Sequence, residues 1–176
     1  TLKFNYVNYG NLDFSAESDA KLEINTSKSG GGGNDTIIGG QLADTIYSLG
    51  GNDNVSGGSG DDTLYLGVGD DTVTGGAGND IIDGGEGIDV AIFSGNKSNY
   101  SITETGYTKY QVVDNQGTDG TDTLSNIETL RFADQDFDIT PSGQKLEGDT
   151  SDDTLEGAAG DDFIYGYGGA DTLKGL

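Results

Sequence analysis

The sequence predicts an all-β fold of the solenoid kind, and three observations carry that prediction. The first is a nine-residue repeat. From Gly30 the units are GGGGNDTII, GGQLADTIY, SLGGNDNVS, GGSGDDTLY, LGVGDDTVT, GGAGNDIID and GGEGIDVAI, seven in register through residue 92. A fixed short period marks an architecture of stacked repeats. The second is the division within each unit. Six residues rich in Gly and Asp suit a tight turn, glycine supplying positive φ, and three residues with one apolar side chain suit a short strand. The third is the shortage of core material: apolar residues are 32% of the chain, against roughly half in an average globular domain. A large, well-filled core is excluded, and each strand contributes a single inward residue, at the eighth position: Ile37, Ile46, Val55, Leu64, Val73, Ile82 and Ala91.

Charge sharpens the problem. The chain carries 31 Asp and Glu against 8 Lys and Arg, a net charge of -23, and 32 of its 176 residues are Gly. Such a composition leans toward disorder, because it buries too little apolar surface to offset the entropy lost on ordering. Cys 0 excludes a disulfide, which leaves a metal as the common staple. With His 0 and Cys 0 the usual zinc sites are also excluded, whereas Asp carboxylates and main-chain carbonyls suit a hard cation such as calcium. A surface this acidic repels nucleic acid and anionic membranes, so neither is expected as a partner. No apolar run of about 18 residues is present to span a bilayer. Starting at Thr1 and stopping at Leu176 inside a repeat, the chain is expected to be a piece of a longer protein.

The sixth position is Asp in every unit: Asp35, Asp44, Asp53, Asp62, Asp71, Asp80 and Asp89. The fourth is Gly in all but Leu42. This pattern resembles the calcium-binding repeats of the RTX (haemolysin-type) family, G-G-x-G-x-D-x-U-x. The resemblance implies a right-handed parallel β-roll with calcium held in its turns. Its ligands would be the sixth-position aspartates together with the turn glycines Gly31, Gly33, Gly51, Gly58, Gly60, Gly67, Gly69, Gly76, Gly78, Gly85 and Gly87. It further implies export by type I secretion, folding outside the cell at millimolar calcium, and parents that include adhesins, toxins, proteases, lipases and alginate-modifying epimerases.

Physical argument supports the same assignment. Two units complete one coil, so turns n and n+18 stack on one edge at about 4.8 Å. One edge then carries Asp35, Asp53, Asp71 and Asp89, and the other Asp44, Asp62 and Asp80. Carboxylates about 5 Å apart repel by roughly 3 kcal/mol at an effective dielectric of 20, and the steps accumulate. Without a cation the stack is not expected to form. Two Asp side chains and the turn carbonyls supply the six to eight oxygens calcium takes, and three stacked pairs plus two predict about five ions in this block. Binding and folding then become one event.

Outside the block the alternating Leu2, Phe4, Tyr6, then Leu12, Phe14, then Leu22, Ile24 predict two or three strands over residues 1–29 that cap the open end of the roll. Residues 93–140 are expected to hold a β-hairpin inserted between repeat units at 93–116, a degenerate unit GTDGTDTLS with Asp122 sixth, and closing strands around NIETLRFAD. Residues 141–176 form a second, truncated block with Asp153, Asp162 and Asp171 at the sixth position and one complete pair, Asp153 with Asp171.

Other chemistries fit less well. Asp61-Asp62 lacks the partners of a catalytic acid pair, and adjacent residues on extended backbone point apart, so the chain is expected not to be an enzyme. Neither phosphate-loop string occurs. DQDFDI at 134–139 lacks the Gly of a calcium-loop helix pair and places Lys145 where a bidentate Glu belongs. Fifth-position Asp61, Asp70 and Asp161 are expected to face water. Two alternatives to a structural, secretion-assisting or adhesin module are carbohydrate binding through Tyr100, Tyr107 and Tyr110, and ice binding by the threonine ladder Thr36, Thr45, Thr63 and Thr72, which Asn54 and Ile81 interrupt. The expected partners are calcium, a polysaccharide or neighbouring domains, with the module itself monomeric.

Overall fold

The computed structural model describes residues 2–5, 11–16, 22–25, 32–139, 141, 143–157 and 162–175. Gly31, Tyr6 and Asp161, on which expectations were placed above, lie outside the described residues. The chain divides into two compact units, Thr1–Thr103 with Lys109–Ile139, and Glu104–Thr108 with Thr140–Leu176.

In the first unit the strands run β1 (Leu2–Asn5), β2 (Asn11–Asp13), β3 (Leu22–Asn25), β4 (Thr36–Ile38), β5 (Thr45–Tyr47), β6 (Asn54–Ser59), β7 (Thr63–Val68), β8 (Thr72–Ala77), β9 (Ile81–Glu86) and β10 (Val90–Ile92). They continue with β11 (Tyr100–Gly106, of which residues 104–106 are assigned to the second unit), β12 (Lys109–Asp114), β13 (Thr121–Ser125), β14 (Thr129–Arg131) and β15 (Asp136–Asp138). Alternate strands enter alternate sheets. One sheet has the order β1-β3-β5-β7-β9-β13-β12-β11 and the other β15-β14-β10-β8-β6-β4-β2. Through the repeats the pairing is parallel with a register of n to n+18, as in Ile46 opposite Leu64 and Leu64 opposite Ile82. This is the β-roll, with two nine-residue units per coil.

The eighth-position side chains from Ile37 through Ala91 are buried, at most 1% exposed, and form one core with Leu22, Ile24, Leu124 and Leu130. Period-two alternation extends that inward face beyond the eighth residue. The sixth position precedes it and the first of the next unit follows, so the sixth-position aspartates, Ser48 and Leu66 are buried too. Each unit thus buries three positions, of which the eighth carries an apolar side chain in every unit, and Leu66 adds a second one.

Strands β6 to β9 are six residues long rather than the three expected. Their added residues are the first three of the following unit, Gly-Gly-Ser, Leu-Gly-Val, Gly-Gly-Ala and Gly-Gly-Glu, which pair in the same register, Gly58 with Gly76 and Gly67 with Gly85. From Leu49 to Gly85 the second position takes a left-handed backbone, at φ 108 for Gly58 and 112 for Gly76. A Cβ on Gly76 would fall 1.9 Å from the Gly58 carbonyl oxygen of the coil below. Leu49 occupies this position with φ 74 and a 42% exposed side chain. A left-handed non-glycine residue costs about 1 kcal/mol, so Leu49→Gly should stabilise the roll by up to that amount, seen as a higher urea midpoint in calcium.

The N-terminal strands take the form of further coils. β3 pairs parallel with β5, Ile24 opposite Ile46, and β2 with β4, Leu12 opposite Ile37. The interval in sequence is longer than 18 in both cases, so the repeat is absent although the ladder continues. At the other end, β12 and β15 add antiparallel to β13 and β14, which ends the parallel stacking in both sheets.

The hairpin departs from expectation in its point of insertion. β13 pairs parallel with β9, Thr123 opposite Ile81, and β10 pairs with β8, Ala91 opposite Val73. The coil that follows β10 therefore begins its turn at Phe93-Ser94 and finishes it at Gly120-Thr121-Asp122. Gly120, at φ 78, sits against the Gly78 carbonyl as Gly78 sits against that of Gly60, which identifies it as a fourth-position glycine. The hairpin splits a turn; it does not lie between two units.

The second unit contains β16 (Lys145–Glu147), β17 (Thr154–Glu156), β18 (Phe163–Tyr165) and β19 (Thr172–Lys174), paired in parallel as β16-β18 and β17-β19 at the same spacing of 18.

Candidate metal centre

Each sixth-position aspartate ends a turn and begins a strand, so stacking brings equivalent carboxylates into two columns. The link within a column is a hydrogen bond: the main-chain N–H of one aspartate donates to Oδ1 of the aspartate one coil on. On one edge these are Asp35 to Asp53 at 2.8 Å, Asp53 to Asp71 at 2.7 Å and Asp71 to Asp89 at 2.8 Å. On the other they are Asp44 to Asp62 at 2.7 Å, Asp62 to Asp80 at 2.8 Å and Asp80 to Asp122 at 2.9 Å. Asp122 thus extends the second column across a sequence gap of 42.

These carboxylates were expected at the roll's edges; the structure also buries them. Asp53, Asp62, Asp71, Asp80 and Asp89 are all at most 2% exposed. One oxygen of each is used by the column. The other, Oδ2 of Asp62, Asp71, Asp80 and Asp89, is buried with no hydrogen-bond partner. None of the ion pairs Arg131–Asp136, Lys145–Glu147 and Lys174–Glu156 among the described residues involves Asp53, Asp62, Asp71, Asp80 or Asp89. Burial therefore pushes the carboxyl pKa values up, to about 6 for Asp53 and Asp80, about 7 for Asp62 and Asp89 and about 8 for Asp122. Column neighbours add to the rise, as Asp80 and Asp44 do for Asp62. A buried carboxylate oxygen without a donor is costly, and a row of them at one strand spacing is chemically incomplete. A hard cation accepting those oxygens completes it. Among the described residues no site gathers three acidic side chains, so the remaining ligands would be main-chain oxygens of the turns.

The glycines named from the resemblance fall in two groups. Gly51, Gly58, Gly60, Gly67, Gly69, Gly76, Gly78, Gly85 and Gly87 all have positive φ and pack onto the turn below. Gly33 lies in the turn beneath Gly51. Fifth-position Asp61 and Asp70 are exposed as expected, and they have a further role. Their side chains accept the N–H of the fifth residue of the next coil, Asn79 for Asp61 and Ile88 for Asp70. Sixth-position carboxylates reach back one coil and fifth-position ones reach forward, so each turn is tied twice.

Glu128 is the acidic residue that repeat spacing does not reveal. β14 pairs with β10, Thr129 opposite Val90, which places Glu128 in the sixth-position register after a shortened turn. Its Oε2 accepts the Asp89 N–H at 2.7 Å, the role an aspartate plays elsewhere. The extra methylene of Glu supplies the reach, and the only sequence signal was an acid two residues before Leu130.

In the second unit the Asp153 N–H donates to Asp171 at 3.0 Å, and Gln144 donates to Asp162 at 2.9 Å. One column thus has an acidic pair and the other a Gln partner. All three aspartates are half-buried.

Comparison with known proteins places this pattern. The family model for the RTX calcium-binding nonapeptide repeat matches residues 29–64, 56–91 and 146–176, more than half of the chain. No curated protein matches. Among solved structures, the chain is similar to the crystal structure of the extracellular lipase LipA from Serratia marcescens, with 22% identity and a TM-score of 0.45. That likeness covers 91% of this chain and 25% of the lipase, so the chain spans a quarter of that protein's length. With its all-β parallel roll, its turn glycines and its aspartate columns, the chain belongs to the RTX calcium-binding nonapeptide repeat family.

Proposed function

We propose that the chain is a non-catalytic, calcium-dependent structural module of a secreted bacterial protein, one that assists export and folds outside the cell, as in an adhesin. The observation that supports this most is the buried carboxylate column with its unpartnered Oδ2 atoms. Calcium supplies positive charge and a demand for six to eight oxygens. Asp35, Asp44, Asp53, Asp62, Asp71, Asp80, Asp89 and Asp122 would provide the charged ligands, and the turn glycines their carbonyls. Counting stacked Asp–Asp pairs gives about six ions in the first unit rather than five, because Asp122 adds a step to the second column. Asp153 with Asp171 adds one in the second unit. Before export, repulsion along the columns keeps the chain open; outside, the same carboxylates draw it closed.

The geometry does not favour the two alternatives. Tyr100 and Tyr110 are buried, and Tyr100 packs against Phe93 and Phe132, so they serve sheet packing rather than a sugar platform. The outward rows at the seventh position run Thr36–Asn54–Thr72–Val90 and Thr45–Thr63–Ile81–Thr123. Neither is an unbroken threonine ladder.

Circular dichroism tests the reading. In EDTA at neutral pH the chain should be mostly coil, and β structure should appear cooperatively on titration with calcium. A chain fully folded in chelator would overturn it.

A further inference from the structure

The first residue of each repeat decides what stands beside the carboxylate at that repeat's sixth position. Where it is glycine the two nearly touch: a Cβ on Gly57, Gly75 or Gly84 would fall 2.5 Å or less from Oδ2 of Asp62, Asp80 or Asp89. Real Cβ atoms do not come so close, so the bare glycine Cα is what gives these unpartnered oxygens their place. Two repeats have no glycine there. The third opens on Ser48 and the fifth on Leu66, both buried, and both belong to the same edge, with Asp53 and Asp71. On the opposite edge Gly39, Gly57 and Gly75 open the turns of Asp44, Asp62 and Asp80.

Each replacement takes something that a cation would use. The Ser48 hydroxyl donates to the Leu66 carbonyl oxygen, one coil on, at 2.9 Å, so one lone pair of a turn oxygen is already engaged. Leu66 is fully buried and belongs to the apolar core. Its side chain brings only carbon to the turn in which Oδ2 of Asp71 has no partner. Calcium takes six to eight oxygens, and its affinity follows their number and the rigidity of the site. The columns themselves are undisturbed, since the Asp35 N–H reaches Asp53 at 2.8 Å and the Asp53 N–H reaches Asp71 at 2.7 Å. The stack is kept while the surroundings of its free oxygens change.

We infer that Ser48 and Leu66 make the two edges unequal: the glycine-opened turns of Asp44, Asp62 and Asp80 hold calcium tightly, and the turns of Asp53 and Asp71 hold it weakly. This rests on the calcium reading above and adds an order of loading to it. As calcium rises, one edge of the roll is fastened before the other. As calcium falls, the Asp53 and Asp71 turns release first.

Release of calcium from the loaded full chain into a fluorescent chelator, followed by stopped flow, tests it. The unsubstituted chain should release its ions in two phases that differ about tenfold or more in rate. Ser48→Gly and Leu66→Gly should each lower the fast phase by one ion and raise the slow phase by one. A purely structural role for Leu66 predicts the reverse, because losing a buried apolar side chain loosens the roll and speeds release. Leu66→Ala, which thins the core but keeps Cβ, should not lower the fast phase. Should Leu66→Gly fail to fold, Ser48→Gly decides alone. Release in a single phase, or a Ser48→Gly chain whose fast phase is unchanged, overturns the inference. A chain that holds no calcium at all overturns the calcium reading instead.

Discussion

Asp62→Asn should have opposite effects with and without calcium. In saturating calcium the variant should lose two bound ions and about 5 kcal/mol of stability, because Asp62 is shared between the Asp44 and Asp80 steps. Each site occupied at a hundred times its Kd contributes about 2.7 kcal/mol. In chelator the same variant should be more folded than the parent chain. Asn keeps the Oδ1 acceptor that receives the Asp44 N–H at 2.7 Å and removes a buried charge whose Oδ2 has no partner. Urea unfolding followed by circular dichroism in both conditions measures the two effects. A variant destabilised equally in calcium and in EDTA would mean that Asp62 acts through packing alone.

The second large effect is on pH. Carboxyls with an unfolded pKa of 3.8 are raised by burial to about 6 at Asp53 and Asp80, about 7 at Asp62 and Asp89 and about 8 at Asp122. The folded state thus binds more protons than the unfolded one throughout that interval, and stability falls as pH rises. The contribution is fully present below pH 3.8 and is lost as pH climbs through 6 to 8. In chelator the chain should therefore gain β structure on acidification from pH 8 to pH 5, the reverse of ordinary acid denaturation. With calcium the sign changes, because protons and the cation compete for the same oxygens. The calcium midpoint should fall as pH rises from 5 to 8. A metal-free chain that loses β structure on acidification would count against buried, unpartnered carboxylates.

Much of the site was legible because the repeat maps sequence distance onto space. Once two units make a coil, residues 18 apart are neighbours, and the Asp35 and Asp44 columns follow from counting. Counting failed where the count was interrupted. Glu128 enters its column through a shortened turn, and Asp122 meets Asp80 across 42 residues. The turn shared by Ser94 and Asp119 is visible only when both halves are seen against the coil below. The N-terminal strands were hidden for a related reason: they join the ladders at intervals of 25 and 22 residues, so the ladder continues while the period of 18 does not.

By itself the sequence determined the all-β class, the coil length, the two columns and the calcium-binding repeat family, because these depend only on periodicity, on glycine's conformational range and on the spacing of the aspartates. The tertiary structure alone decided how deeply the carboxylates are buried, which oxygen of each lacks a partner, and where the hairpin breaks the roll. Those features depend on which way a side chain faces and on contacts between segments far apart in sequence, and no spacing rule encodes either.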